Sequence, residues 1–263
     1  TVVATPRATT SATKASGPSG QLMPSRAPRG YHAVVAQDFA GTTVPSGWHP
    51  YQGQAGTDTA GWWDPSHVTV GNGMLTLHAS KDPAHGGPNS PWVEGGIDQW
   101  PAGVLVNGEY LVRSRVSSAT GVTEVALLWP DDDNWPPEID FNESNGTNES
   151  TATLTWGTVA RQHQLQARLP QVDLTQWHTW GVIVTPKSIT YTLDGTRWAT
   201  MANHEQVAMH LALQQQVWAC DNQSDRVCPS AATPKAVDLQ VDWVVVYAPD
   251  NPPAATASPA RAP

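Results

Sequence analysis

The chain has 263 residues, enough for one sizeable all-β domain once its ends are trimmed, and its 14 Lys and Arg face 23 Asp and Glu for a net charge of −9. A chain so poor in cations cannot displace the counterions of nucleic acid, and the same sign disfavours sulfated or uronic polysaccharides, so a neutral partner is expected. No run of about 20 apolar residues is present, which excludes a membrane-spanning helix.

The chain opens at Thr1, without Met or an apolar leader, and is expected to be the mature form of a secreted, extracellular protein. Residues 1–30 are mostly Thr, Ser, Ala, Pro and Gly with no acidic residue. Such a segment buries too little apolar surface to offset its ordering entropy and is expected to be a disordered linker. Residues 249–263 resemble it, which leaves 31–248 as the folded domain. Trp62, Trp63 and Trp92 fall in Gly/Pro-rich stretches, where they serve either as outer stacking platforms or as packing at loop bases. Asn72-Gly73 separates Val68–Val70 from Met74–Leu77, and Asp194-Gly195 follows Ile189–Leu193. Both dipeptides are hairpin signals, because the tight turn requires positive φ at its two central residues. Asn107-Gly108 is expected to turn into a strand over Tyr110–Val116.

A helix is conceivable only over 204–213, but Val207, Met209, Leu211 and Leu213 alternate better than they wind. Extended to Trp218, this strand presents His210, Ala212, Gln214, Gln216 and Trp218 on one face. That face is polar and ends in an indole, so it is either a solvated outer face or the one on which His210, Gln214 and Trp218 meet the substrate, the second being the expectation. Cys220 and Cys228 lie in a short polar stretch with no metal-ligand spacing and are expected to form a disulfide, worth about 2–3 kcal/mol by loop closure. Near the end, Val237, Leu239, Val241, Trp243, Val245 and Tyr247 alternate with polar residues as in a half-buried strand, which becomes buried on both faces at Val244 and Val246. Many short strands, turn signals and no long amphipathic helix predict an all-β protein, a β-sandwich or jelly roll of two antiparallel sheets with a concave substrate cleft. Thirteen Trp against two Phe suit a surface that stacks on sugar rings.

The chemistry concentrates in Trp135-Pro136-Pro137-Glu138-Ile139-Asp140-Phe141-Asn142-Glu143. On a strand, Glu138 and Asp140 share one face while Ile139 and Phe141 point into the core. Glu143 is out of phase by one, and a regular strand would drive its charge into the core. A one-residue bulge near Phe141–Asn142 restores the phase and sets all three carboxylates on one face. Crowded acids raise at least one proton affinity, so that an acid and an ionised carboxylate can coexist near neutral pH. Glycoside hydrolysis uses such a pair, about 5–5.5 Å apart when the anomeric configuration is retained. A calcium loop or an exposed acidic strand are the other readings of three close acids. Calcium loops draw carboxylates from Gly-containing loops rather than from a strand with buried Ile and Phe.

This stretch resembles glycoside hydrolase family 16, which carries Glu-x-Asp-x-x-Glu on a central strand of a concanavalin A-like jelly roll, just after a Trp-Pro. The resemblance extends along the domain through Gln37-Asp38-Phe39-Ala40-Gly41, Asn107–Arg113, Trp177-His178-Thr179-Trp180-Gly181 with Thr185-Pro186 and Leu193-Asp194-Gly195, and Val241–Tyr247. It implies Glu138 as nucleophile, Asp140 as assisting carboxylate, Glu143 as general acid/base and Trp135 close to the cleaved bond. Pro137 stands where the family has Gly, and Leu154-Thr155-Trp156 where it often has a His, with Trp156 taken as a substrate contact. The chemistry it implies requires no cofactor, although a structural calcium ion could sit at Asp242 with a residue near Asp38. The expected activity is that of a secreted, monomeric endo-acting glycanase on a neutral polysaccharide, first of all a β-1,3- or β-1,3-1,4-glucan. A transglycosylase would use the same residues with a sugar in place of water. A lectin-like binding module would have no use for the acid strand.

Overall fold

A computed structural model describes residues 17–54, 60–82, 92–219 and 227–252. Among these residues the chain forms two large antiparallel sheets, a two-stranded ribbon and one 3-10 turn at Pro65–His67. The first sheet runs in the order β16 (Thr196–Ala202), β15 (Ser188–Leu193), β14 (His178–Val184), β9 (Gly108–Val116), β18 (Ala236–Pro249), β6 (Met74–Lys81) and β5 (Val68–Gly71). β1 (Tyr31–Gln37) joins the far end of β18, and β7 (Trp92–Val93) joins β6. The second sheet runs β13 (Arg161–Pro170), β12 (Glu149–Thr158), β11 (Glu138–Glu143), β10 (Thr123–Pro130), β17 (Met209–Gln216), β8 (Gly96–Gln99) and β2 (Trp48–Pro50). β3 (Gly53–Gln54) and β4 (Trp62–Trp63) make the ribbon.

One apolar core joins the two sheets. Ala126, Leu128, Ile139, Phe141, Leu154, Leu211 and Leu213 enter it from the second sheet, and Leu75, Leu77, Tyr110, Val112, Trp180, Val182, Tyr191, Leu239 and Val244 from the first. The period-two pattern therefore places the core as expected for a jelly-roll sandwich. The two hairpin signals hold: Asn72 and Gly73 have φ of 53° and 74°, Asp194 and Gly195 50° and 76°. Of the segment open to a helical reading, residues 209–213 belong to β17. The strand after Asn107 starts at Gly108, where a Cβ would stand 2.8 Å from the carbonyl of Tyr247.

Two expectations change. The last strand does not keep one phase: the β18–β9 register slips between Val241 and Trp243, so Leu239 and Val241 face the sandwich core while Trp243, Val245 and Tyr247 emerge on the outer face. An outward Trp-Val-Tyr row needs a cover, and residues 17–30 supply it. Met23 and Ala27 pack on that row, Trp243 Nε1 donates to the Gln21 carbonyl at 3.2 Å, and Ser19 donates to Asp242. The part of the expected 1–30 linker that is described is thus part of the domain, because composition alone does not reveal a distant apolar face awaiting cover. A chain starting at residue 31 is expected to melt about 5–10 °C lower, from the loss of roughly 2–3 kcal/mol of apolar burial. Thermal unfolding of the truncated and full chains checks this.

Candidate active site

β11 lies third from the edge of the second sheet, between β10 and β12. Its pairing with β10 runs Val125 to Glu143, Ala126 to Asn142, then Leu127 to Asp140, which leaves Phe141 as an extra residue. On the other side Asp140 pairs with Thr153 and Glu143 with Thr151, again one residue in excess. This is the expected bulge, and it has the expected effect. Phe141 and Asn142 both turn toward the interior, with 0% and 2% exposure, while Glu138, Asp140 and Glu143 line one cleft of about 690 Å³ on the outer face of the sheet. Ile139 remains in the core.

Trp135 lies just before the strand, and its indole Nε1–H donates to Glu138 Oε2 at 2.7 Å. A hydrogen bond this short to a carboxylate is charge-assisted; it favours the ionised form and fixes the side chain's aim.

The walls differ on the two sides of β11. Toward β10, β17 and the β3–β4 ribbon, Trp129, Trp218, Trp63 and Tyr51 contribute aromatic surface, with Gln214 and Gln216 between them. Their polar tips are held: Trp218 Nε1 donates to Thr123 Oγ1 at 2.8 Å and Trp63 Nε1 to the Gln215 carbonyl at 3.0 Å. The rings of Tyr51 and Trp63 lie 5.0 Å apart. Burial, with Asp98 and Asp133 nearby, pushes the Tyr51 phenol upward, so it stays a neutral hydroxyl. Toward β12 and β13 the wall is aliphatic hydroxyl and amide: Thr153, Thr155, Gln162, Gln164 and Gln166. Gln164 and Gln166 donate to the two threonines at 3.4 Å. Among the described residues that line the cleft, the three carboxylates are the only charged side chains.

Of the side chains expected at the substrate, Trp135, Gln214 and Trp218 line the cleft. Trp156 does not. On β12 it has the parity of Leu154, opposite to the cleft-lining Thr153 and Thr155, and its ring stacks on His204 at 4.2 Å and His163 at 5.3 Å. His210 shares the face of Ala212 and Gln214 but sits at the far end of β17, cross-strand from Trp129, 5% exposed and outside the cleft lining. Trp63 lines the cleft, whereas Trp92 is buried in a small cluster with Ala79, Val122, Val217 and Val237. Trp129 and the glutamines of β13 line the cleft as well, beyond the residues expected there. A period-two reading of 123–130 and of 161–170 would have grouped them.

The expected disulfide involves Cys220, which lies outside the described residues. A structural calcium ion at Asp242 is not shown. Asp242 is buried at 1% exposure, and its Oδ2 accepts both the backbone N–H of Ser19, at 3.2 Å, and the Ser19 hydroxyl. The adjoining cavity of about 590 Å³ holds a second carboxylate, Asp38. No group of three or more His, Cys, Asp or Glu suited to a metal occurs among the described residues.

The family model for "Glycosyl hydrolases family 16" matches residues 56–244. The endo-1,3-1,4-beta-glycanase ExsH of Rhizobium meliloti is 26% identical over 138 residues, 48% of this chain and 28% of that protein, so the match spans under a third of this curated relative's length. Among solved structures, the catalytic domain of an endo-1,3-beta-glucanase (laminarinase) from Thermotoga petrophila aligns with a TM-score of 0.67 at 17% identity, covering 84% of this chain and 99% of the other. An endo-acting O-glycanase of the human gut microbiota, described as initiating mucin breakdown, aligns with a TM-score of 0.70 at 18% identity over 85% and 93%. At these identities the structural likenesses establish the fold.

Proposed function

The chain belongs to glycosyl hydrolases family 16, and from that membership we propose a retaining, endo-acting β-glycanase that cuts a neutral polysaccharide, foremost a β-1,3- or β-1,3-1,4-glucan. Glu138 attacks the anomeric carbon while Glu143 protonates the departing glycosidic oxygen. Glu143, now ionised, then takes a proton from the water that releases the product. Asp140, 7% exposed and on the same face, steadies Glu138 between the two steps.

The observation that carries this reading is the bulge at Phe141–Asn142, which puts Glu143 on the face of Glu138 and Asp140 at the floor of one cleft. The substrate's neutrality is supported by the lack of a cationic side chain among the described cleft-lining residues, where a sulfated or uronic chain would meet only acids. Aromatic rings on one flank and amides on the other suit a hydroxyl-rich chain with apolar ring faces. The same reading makes the protein a secreted one, since a polymeric substrate is met outside the cell.

Reducing-end release from laminarin, lichenan, galactan, xylan and agarose tests it, with proton NMR of the first-formed anomer. Release of the β-anomer from a β-glucan is the expected result; release of the α-anomer would end the double-displacement reading. Binding without release across the panel would favour a lectin, and products longer than the substrate a transglycosylase. Trp135→Phe keeps the ring and deletes the donor to Glu138, and kcat/KM is expected to fall about tenfold, the worth of one charge-assisted hydrogen bond. Steady-state kinetics on the preferred glucan checks it.

A further inference from the structure

Behind the cleft, on the buried face of the same sheet, a chain of polar side chains runs through the bulge. Asn142 Nδ2 donates to Glu124 Oε1 at 3.0 Å, and Ser150 Oγ donates to Asn142 Oδ1 at 2.8 Å. The Glu124 backbone is tied to the residue after Glu143 in both directions: its N–H donates to Ser144 Oγ at 3.0 Å, and its carbonyl accepts the Ser144 N–H at 3.1 Å. Glu124, Asn142, Ser144 and Ser150 are each at most 2% exposed. Burying a carboxyl, an amide and two hydroxyls under a sheet costs free energy that apolar side chains of the same size would not. The residues so held are the inward bulge residue and the one immediately past Glu143.

We infer that the buried Glu124–Asn142–Ser150 chain is a positioning device for Glu143, locking the inward turn of Asn142 so that the next side chain emerges on the cleft face at the angle proton transfer requires. The inference rests on the reading of Glu143 as the acid/base. A bulge can relax by sliding its extra residue along the strand, and a slide of one position would return Glu143 to the interior. Asn142, pinned at both ends of its amide, cannot slide without leaving Glu124 and Ser150 unpaired in the core.

Glu124 serves this role as a neutral acid. Its cross-strand neighbour is Gln215, 0% exposed, whose Nε2 donates to the Val237 carbonyl at 3.0 Å. Glu124 Oε2 and Gln215 Oε1 are both buried, and neither has a donor among the described residues. Directly opposed residues of neighbouring strands hold their side chains within reach of each other. One proton on Glu124 would turn two orphaned acceptors into one hydrogen bond. The side chains meeting Glu124 from β11 and β17, Asn142 and Gln215, are uncharged, and burial raises its carboxyl to about 7.

The test compares Asn142→Ala, Ser150→Ala and Glu124→Gln with the wild type on two kinds of substrate. One is the polysaccharide, whose leaving group needs a proton; the other is an aryl oligosaccharide with an acidic phenol that leaves without one. For Asn142→Ala, kcat on polysaccharide is expected to fall about 100-fold with KM within about twofold, the scale of an ångström-level misplacement. The pre-steady-state burst of phenol should stay near wild type, since Glu138 is undisturbed. Glu124→Gln, which can accept from Asn142 and donate to Gln215, should retain full activity on both. Equal losses on both substrates, or none, would overturn the inference, as would Glu124→Gln matching the damage of Asn142→Ala. If Asn142→Ala fails to fold, Ser150→Ala removes a single bond and should show the same one-sided loss at about three- to tenfold; a two-sided or absent effect there overturns it equally. Glu143→Gln in the same assays separates the two levels. Wild-type rates for Glu143→Gln would sink the acid/base reading beneath the proposal, whereas an impaired Glu143→Gln beside unaffected network variants sinks the positioning role alone.

Discussion

Glu138→Gln and Glu143→Gln are each expected to lower kcat on the preferred glucan by about three orders of magnitude or more while leaving the melting temperature within a few degrees. Both side chains line the cleft rather than the core, so their isosteric amides leave the packing intact. The two variants should then part company. With an aryl oligosaccharide whose phenol needs no protonation, Glu143→Gln should still form the glycosyl-enzyme on Glu138 and stall there, because no base activates the water. Added azide, which needs no base, should restore turnover and yield a β-glycosyl azide. Glu138→Gln lacks the nucleophile, and azide should rescue nothing by that route. A Glu143→Gln enzyme unaffected by azide, or a Glu138→Gln enzyme that still shows a burst, would contradict the roles given to the two residues. The outcome matters because the pair is separated by five positions on an extended strand, a spacing that only the bulge converts into a shared face.

The second large effect concerns stability rather than rate. Burial raises the Glu124 carboxyl from an ordinary 4.5 to about 7, with the Asn142 hydrogen bond opposing the shift. Between those two values the folded chain binds a proton that the unfolded chain has released. Stability rises with pH only where the unfolded state binds more protons, so here Glu124's contribution falls as pH climbs from about 4.5 to about 7 and is level beyond. The displacement corresponds to about 3 kcal/mol in total. Glu124→Gln removes the titration, and urea unfolding of the two proteins between pH 4.5 and 8 should diverge, with the variant gaining on the wild type as pH rises. Parallel curves across that window would mean that Glu124 is ionised in the folded chain and that the buried network is held by charge instead. The reading also separates two duties of acids in one sheet: three on the outer face for chemistry, one on the inner face that its surroundings hold protonated up to about pH 7.

Much of this molecule is legible in one dimension, for identifiable reasons. Alternation with period two reports which side chains share a face, and it marked Ile139, Phe141, Leu211 and Leu213 as interior. Asn-Gly and Asp-Gly report turns because only a few residues tolerate positive φ, and both hairpins formed there. The misfit of Glu143 with the phase of Glu138 and Asp140 demanded a bulge, since a charge could not be left inside. The phase reversal in β18 escaped notice because Val241, Trp243 and Val245 are apolar on either side of it, so no misfit signals the slip. The docking of residues 17–30 escaped for the same reason, as the face they cover exists only after that slip.

Parity, moreover, does not say which of two faces is the cleft, nor how much of a face the surrounding loops leave open. It took the assembled sheets to turn Trp156 away, to bury His210 beside Trp129, and to bring the glutamines of β13 and the indole of Trp63 to a cleft built around residues far from them in sequence. The linear order of residues determined the acid strand and the sandwich around it, because those follow from local period and charge. The walls that would meet a sugar chain were decided by the tertiary structure, because contacts between distant strands set them.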